Sequence, residues 1–208
     1  YGVSRTTVKR KKIFLANMSR HEQAKWLRQQ AKFTRVQFDD LETFVHTKCK
    51  PVTVTMAVCA ETRKIIDYEV AVIAAKGPLA RIARKKYGPR PDESRAKRRV
   101  LFARLKNVIS PYAEFETDKH NDYPQLLKEF FPHSQHFTYK GERSAITGQG
   151  DLKKTSYDPI FMINHTFAML RANINRLIRK TWNTSKKLER LDDHIALYVN
   201  YHNQFLTN

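Results

Sequence analysis

The sequence predicts an α/β domain, a mixed sheet flanked by helices. Three observations carry that expectation. Between residues 34 and 75, three consecutive segments alternate apolar and polar residues with short connections. Downstream, helical and extended patterns take turns as helix, strand, helix, strand. After residue 158 the chain closes on long amphipathic stretches. A length of 208 residues suits one domain with a small appendage. The net charge of +19, from 39 Lys+Arg against 20 Asp+Glu, points to a polyanionic partner rather than a small-molecule substrate.

The elements follow in order. "YGVSRTTVKRKKIFLANM" reads as a short basic helix with Ser4 as N-cap. "YGVSRTTV" is typical of the turn and start of a helix-turn-helix recognition helix. Gly2 would sit in the turn, Ser4, Arg5 and Thr6 would reach base edges, and Lys9 and Arg10 would line the same DNA-facing helix. Residues 19–32 read as a second helix. Residues 1–33 are therefore expected to be a DNA-binding helix-turn-helix remnant with a linker helix, and 34–208 the main domain.

"RVQFDDLETFVHT", "PVTVTMAVCA" and "IIDYEVAVIA" form an antiparallel meander. "GPLARIARKKYGPRP" is a basic loop or short helix. Pro91, Asp92 and Glu93 start a helix running to about Ile109. "YAEFETD" is a fourth strand, "YPQLLKEFF" a helix and "SQHFTY" a fifth strand. Ile163, Phe167, Leu170, Ile174 and Leu177 mark one long helix from Pro159 to about Lys180, and a final helix spans about Leu188 to Gln204. This order is that of the ribonuclease H-like fold, in which the first and fourth strands are neighbours at the sheet centre.

Several classes are excluded or disfavoured. The longest strictly apolar run, Val70 to Ala75, is too short to span a membrane, so no membrane association is expected. The N-terminus shows no signal-peptide pattern, and a chain opening on Tyr1 is expected to be a piece of a longer one. Cys49 and Cys59 are too few for a disulfide framework or a four-ligand zinc site, so a reducing cytoplasmic setting is expected. His133 and His136 have a loose metal-like spacing without a third ligand nearby, and "TGQG" lacks the residues of a phosphate loop.

Charge is segregated. Segments 1–35, 76–110 and 152–208 are basic, and 36–75 and 111–151 are acidic. A metal-dependent nuclease has use for that pattern, because carboxylates hold cations while basic surfaces hold the phosphodiester; the alternative is that strands and hairpins simply carry acids on a solvated face. Asp39 lies within the first strand and Asp118 ends the fourth. In this element order the two converge, and such a pair can hold two hard cations. Asp40 and Glu42 are expected to face elsewhere or to support the site from behind.

"FDDLETFV" resembles the first-acid motif D-E-x-W-x-(F/Y)-V of bacterial insertion-sequence DDE transposases of the insertion sequence one type. "FETDKHNDYPQLL" resembles their T-D-G-x-x-x-Y motif, with Asp118 as the acid and Tyr123 near the tyrosine. "NHTFAMLRANINRLIRKTWNTSKKLERLDDHIALYVNYHN" resembles their C-terminal signature, so the resemblance covers roughly residues 36 to 203. It departs at Glu42, in place of Trp, and at Lys119 and His120, after the second acid. Asn164 stands where the family has its third acid, Glu. An Asn carbonyl can ligate Mg²⁺ without bringing charge. Asp158, just before Pro159, is the competing third ligand or else a helix cap.

The resemblance implies an enzyme that nicks insertion-sequence ends and joins the freed 3′-hydroxyl to target DNA. It implies catalysis and metal binding by Asp39, Asp118 and Asn164, with two Mg²⁺ ions for which Mn²⁺ can substitute. Double-stranded DNA would be the partner, the protein a homodimer or higher oligomer on it, and the setting the bacterial cytoplasm and nucleoid. Arg171, seven residues after Asn164, resembles the basic residue that contacts phosphate after the third acid. Arg176, Arg179, Lys180, Lys186 and Lys187 are expected to form a basic, phosphate-contacting end to the same helix, with Trp182 a core or base-stacking residue. The competing readings are an inactive or domesticated transposase-derived DNA-binding protein and a ribonuclease H-like nuclease without strand transfer.

Overall fold

The structure, a computed structural model, describes residues 2–140, 158–178 and 183–207. Strands β1 (Phe33–Phe44), β2 (Pro51–Cys59) and β3 (Ile65–Val72) form the antiparallel meander. β4 (Ile109–Asp118) adds parallel to β1, and β5 (Gln135–Tyr139) parallel to β4. The sheet order is β3-β2-β1-β4-β5, so β1 is central and β4 is its neighbour. That order and those directions are the ribonuclease H-like arrangement predicted from the sequence.

Alternation along β1 separates two cores, because side chains two apart share a face. Val36 and Phe38 point to one face and pack with Leu101, Phe102, Phe115 and Tyr123. The covering helices there are α3 (Ser94–Leu105) and α4 (Tyr123–Phe130). The Phe38 and Phe102 rings meet edge to face at 4.9 Å. Leu41 points to the other face, where Val54 and Met56 meet Ile163, Phe167, Leu170, Leu191 and Ile195. The helices on that side are α5 (Phe161–Asn173) and α6 (Leu188–Tyr201). β2 is buried along nearly its whole length because both of its faces are covered, Thr53 and Thr55 included.

Three local expectations are corrected, and one left open is decided. The two N-terminal helical stretches are one helix, α1 (Arg5–Gln29), capped by Ser4, whose hydroxyl accepts from the Thr7 amide. No Gly or Pro interrupts it, and its second half packs along α6. Arg20 there pairs with Asp192 at 2.7 Å, and Gln23 donates to the carbonyls of Ile65 and Ile66. The basic 78–87 stretch takes the helical alternative, as α2 (Pro78–Tyr87), with Pro in its first turn. The helix expected to reach Ile109 stops at Leu105, and Ile109 opens β4. The long helix expected from Pro159 to Lys180 runs only from Phe161 to Asn173. A 3-10 turn, Asn175–Leu177, follows. Asn residues flank the β-branched Ile174, and the Asn173 amide donates back to the Met169 carbonyl, a side-chain bond that competes with helix continuation. Ile174 and Leu177 still reach the core. At the C-terminus α6 ends at Tyr201 and passes into a π turn, His202–Leu206.

Candidate active site

Two parallel central strands bring the paired acids together. Gln37 of β1 is the register partner of Glu116 of β4. Asp39 and Asp118 lie two residues further along these strands, so they share the face of Gln37 and Glu116. α5 begins over that face. Gln37 donates to Glu116 at 2.6 Å and to the Pro159 carbonyl at 3.0 Å, and its own carbonyl accepts from the Ile163 amide at 3.0 Å. Arg35 closes the cluster on Glu116 at 2.8 Å. The start of α5 is thus pinned to the sheet one strand step from the acids.

Burial and the neighbouring Asp118 push Asp39 up from the usual carboxylate range to about 7. Its donors are the Asp40 amide at 2.7 Å and, more distantly, the Tyr123 hydroxyl at 3.4 Å. Asp118 accepts from the His120 amide at 3.1 Å, and the His120 ring stacks on Tyr123 at 4.6 Å. Among the described residues, neither acid has a cationic side chain as ion-pair partner. Asp40 is the opposite case. It faces the other side, accepts from Thr55 and lies 3.1 Å from buried Arg98, which also holds Asp122 at 3.0 Å. The Asp40 contact has ion-pair distance without hydrogen-bond alignment, since Arg98 Nε has no hydrogen-bond acceptor. Glu42 pairs with Lys76 at 2.8 Å, so Asp40 and Glu42 both look away from the pair.

Two converging carboxylates without a countercharge suit a hard divalent cation such as Mg²⁺. Among the described residues, no third Asp, Glu, His or Cys completes a three-ligand cluster with them. Asp158 spends its carboxylate on the start of α5, accepting from the Ile160 amide at 3.3 Å and the Asn164 side-chain amide at 2.9 Å. Asn164 therefore sits on the first turn of α5 with its nitrogen engaged by Asp158.

The elevated Asp39 sets a pH dependence. The folded protein holds this proton more tightly than the unfolded chain. Between about pH 4 and 7 the native state keeps a proton that the unfolded state has released, so stability falls as pH rises through that window. Thermal melts in chelator should show this fall. Asp39→Asn should flatten it and be more stable than wild type at pH 8 by a few kcal/mol. A stability difference between the two that does not vary from pH 4 to 8 would contradict the assignment. Added divalent metal should offset the loss at high pH, because binding requires the ionised carboxylate.

The candidate DNA-contacting residues are spread over several elements. Arg5, Thr6, Lys9 and Arg10 are exposed on the first turns of α1, beyond its Ser4 cap. Arg171 lies in the last turn of α5. The basic group expected on one helix end is divided. Arg176 belongs to the 3-10 turn and donates to the Thr184 carbonyl at 3.2 Å. Lys186 and Lys187 lie exposed just before α6. Arg179, Lys180, Trp182 and the "TGQG" segment lie outside the described residues. His136 bonds Thr117 at 2.8 Å, while His133 is exposed beside Tyr112.

Sequence reasoning missed Gln37, Glu116 and Arg98. Gln37 and Glu116 had a signal, being polar residues in apolar strands two positions before each acid. Arg98 had none, since it sits in a run of basic residues most of which are exposed.

The sheet order and the acid pair on its central strands define a ribonuclease H-like domain. No protein-family model and no curated protein matches the chain. Among solved structures it is similar to a chain of the simian T-cell lymphotropic virus intasome in complex with PP2A regulatory subunit B56 gamma, with a TM-score of 0.41 and 12% identity. That match covers 81% of this chain and 48% of the other, so this chain spans about half the length of the intasome chain. It is also similar to the catalytic domain of Mos1 mariner transposase, with a TM-score of 0.38, 11% identity, and coverage of 98% of this chain and 91% of that one. The same domain with raltegravir and Mg matches with a TM-score of 0.35 and 11% identity, over 98% and 92% of the two chains.

Proposed function

We propose that this chain is the catalytic part of a DNA transposase of the DDE type, acting at the ends of an insertion sequence by metal-dependent phosphoryl transfer. The observation that carries the proposal is the Asp39–Asp118 pair on the two central strands, with Asp39 raised to about 7 and no cationic partner among the described residues. The first-acid, second-acid and C-terminal sequence motifs support the same reading. Asp39 and Asp118 would hold the ions, and the Asn164 carbonyl oxygen would supply a neutral third ligand. Bound there, two divalent ions supply a lowered pKa for the attacking water or 3′-hydroxyl and stabilisation of the leaving oxygen. The chain's own groups orient the acids. The Asp40 amide and the Tyr123 hydroxyl donate to Asp39, and the His120 amide fixes Asp118. The test is incubation with Mg²⁺ and a duplex carrying the element's end. Nicking followed by joining of the 3′-end to a second duplex is expected, and nicking without joining would leave a nuclease.

Asn164 brings no charge, so metal affinity should be weak and Mn²⁺ should support more cleavage than Mg²⁺. Asn164→Ala should lower cleavage by roughly ten- to a hundred-fold, the range seen when a metal site loses a supporting group. Asn164→Glu should retain or raise it. Unchanged cleavage in Asn164→Ala would remove this residue from the site.

The basic segments motivate a second measurement. If six or more phosphates are contacted, log K for duplex against log salt should slope about −5 or steeper. A slope shallower than about −2 would mean that the basic segments do not share one duplex surface. A second reading, a DNA-binding protein without cleavage activity, draws on the absence of a third carboxylate beside the pair among the described residues. It predicts salt-sensitive binding with no Mg²⁺- or Mn²⁺-dependent nicking.

A further inference from the structure

α2 and α3 are comparably basic, yet their cations are used differently. On α3, Lys97 holds Glu69, Arg98 holds Asp40 and Asp122, Arg99 holds Glu129, and Arg104 holds Asp67 and Glu69. On α2 there is no acid, and Arg81, Arg84 and Lys85 are exposed, with no ion-pair partner among the described residues. Ala83 is the one buried residue of α2. Three of the four arginines of α3 hold a carboxylate, whereas Arg81, Arg84 and Lys85 of α2 hold none among the described residues. Three that collect none present their full charge to solvent.

The ends of α2 show why it stands apart. Gly77 and Gly88 have φ of 58° and 77°, in the left-handed region that side chains disfavour. Nothing lies within 4 Å of a Cβ built at either, so backbone conformation, not space, requires glycine there. These two residues turn the chain out to α2 and back. The roots are anchored: Lys76 on Glu42 at 2.8 Å, Lys50 over the Tyr87 ring at 4.3 Å, and Arg90 near the Pro51 carbonyl at 3.5 Å. All three anchors lie at the β1–β2 turn end of the sheet. The same turn holds a third segment, since the His46 amide donates to the Ser185 carbonyl at 2.7 Å. Segments remote in sequence thus gather Lys48, Arg81, Arg84, Lys85, Lys186 and Lys187 at one end of the sheet. β1 reaches that end five residues past Asp39, at Phe44, and Asp118 is the last residue of parallel β4.

We infer that α2, with the 45–50 turn and residues 184–187, is an arm that grips the phosphate backbone of duplex DNA beside the acid pair. The inference rests on the DNA-processing reading above and assigns its duplex-holding surface. Exposed guanidinium and ammonium groups without acids suit phosphate oxygens, and contacts to phosphate carry no sequence information, so a grip on the backbone is independent of sequence. Leu79 and Ile82 make α2 partly amphipathic, but a bilayer lying on it would cover the end of the sheet where the acids open.

The test compares wild type with the exposed triple variant Arg81→Gln/Arg84→Gln/Lys85→Gln, measuring affinity for an element-end duplex and an unrelated duplex across a salt series. Loss of three phosphate contacts should make the log–log slope shallower by about 2 to 3 and weaken binding at 0.1 M salt at least ~10-fold, equally for both duplexes. Lys106→Gln/Lys128→Gln, which neutralises exposed cations elsewhere, should leave the slope as in wild type. The arm is overturned by an unchanged slope in the triple variant, or by an equal change in the control, which would make net charge the cause. It is also overturned if the triple variant loses binding to phosphatidylserine vesicles while keeping its duplex affinity. Wild type that cleaves DNA alongside a triple variant of unchanged slope refutes the arm alone. Wild type that binds but never cleaves, with a triple variant that binds weakly, refutes the catalytic reading and leaves the arm standing.

Discussion

Asp39→Ala and Asp118→Ala should each abolish Mg²⁺-dependent strand cleavage, by on the order of 10³-fold or more, as expected when one member of a unit that acts together is removed. Each substitution takes away half of the only uncompensated acid pair on the central strands among the described residues. Duplex binding should stay at the wild-type level or tighten slightly, because a carboxylate that repels phosphate is gone. The two losses should not add, since either variant leaves one carboxylate unable to hold the ions by itself. Asp40→Ala gives the internal comparison. It sits next in sequence but on the other face, held by Arg98 and Thr55, so it should act on stability more than on the chemistry. Cleavage near wild type in either Asp39→Ala or Asp118→Ala would place the chemistry elsewhere on the molecule.

Arg98→Ala should be the most destabilising single substitution among the charged residues discussed above. Arg98 is 4% exposed and lies between Asp40 and Asp122, with its guanidinium 5.8 Å from the Tyr123 ring. Removing it leaves Asp40 largely buried without a countercharge, which costs about 3–5 kcal/mol. For a chain of this size that lowers the melting temperature by roughly 10 °C. Much of the loss is the stranded Asp40, so Asp40→Asn in the Arg98→Ala background should recover a large part of it. A loss below about 1 kcal/mol, or no recovery in the double variant, would show that water solvates Asp40 and that the pair anchors nothing. Because Tyr123 touches both Arg98 and Asp39, the variant should also slow cleavage, without the near-complete loss expected of the acids.

Much of the frame was legible before the fold was seen. The meander is written in "PVTVTMAVCA" and "IIDYEVAVIA", where β-branched residues alternate strongly enough to override other choices. Asp39 stood out as a carboxylate in the middle of a largely apolar strand, and Asp118 as the acid that ends the strand expected beside it. Helix lengths were less legible. Ile163, Phe167, Leu170, Ile174 and Leu177 keep helical spacing, yet the helix breaks after Asn173 and the last two reach the core by another path. Spacing reports which residues seek the core, and a 3-10 turn can satisfy the same demand. The 5–29 stretch erred the other way. Two apparent helices are one, because nothing in its residues breaks it and α6 supplies a surface to lie on.

By itself the sequence determined the α/β class, the strands, the two acids and the basic character of the surface. These follow from local periodicity and from the cost of placing a carboxylate in an apolar strand, both properties of a residue and its near neighbours. Only the tertiary structure decided which charges are spent and which are free. Asp39 and Asp40 are adjacent, yet one faces Asp118 and the other Arg98, because a strand sends successive side chains to opposite faces. Most cations of α3 meet acids of β1, β3 and α4, while among the described residues those of α2 meet none, although both helices read alike as basic stretches. Charge is a property of the residue, but its compensation depends on partners tens of residues away, and those are set by how the sheet is paired and the helices are packed upon it.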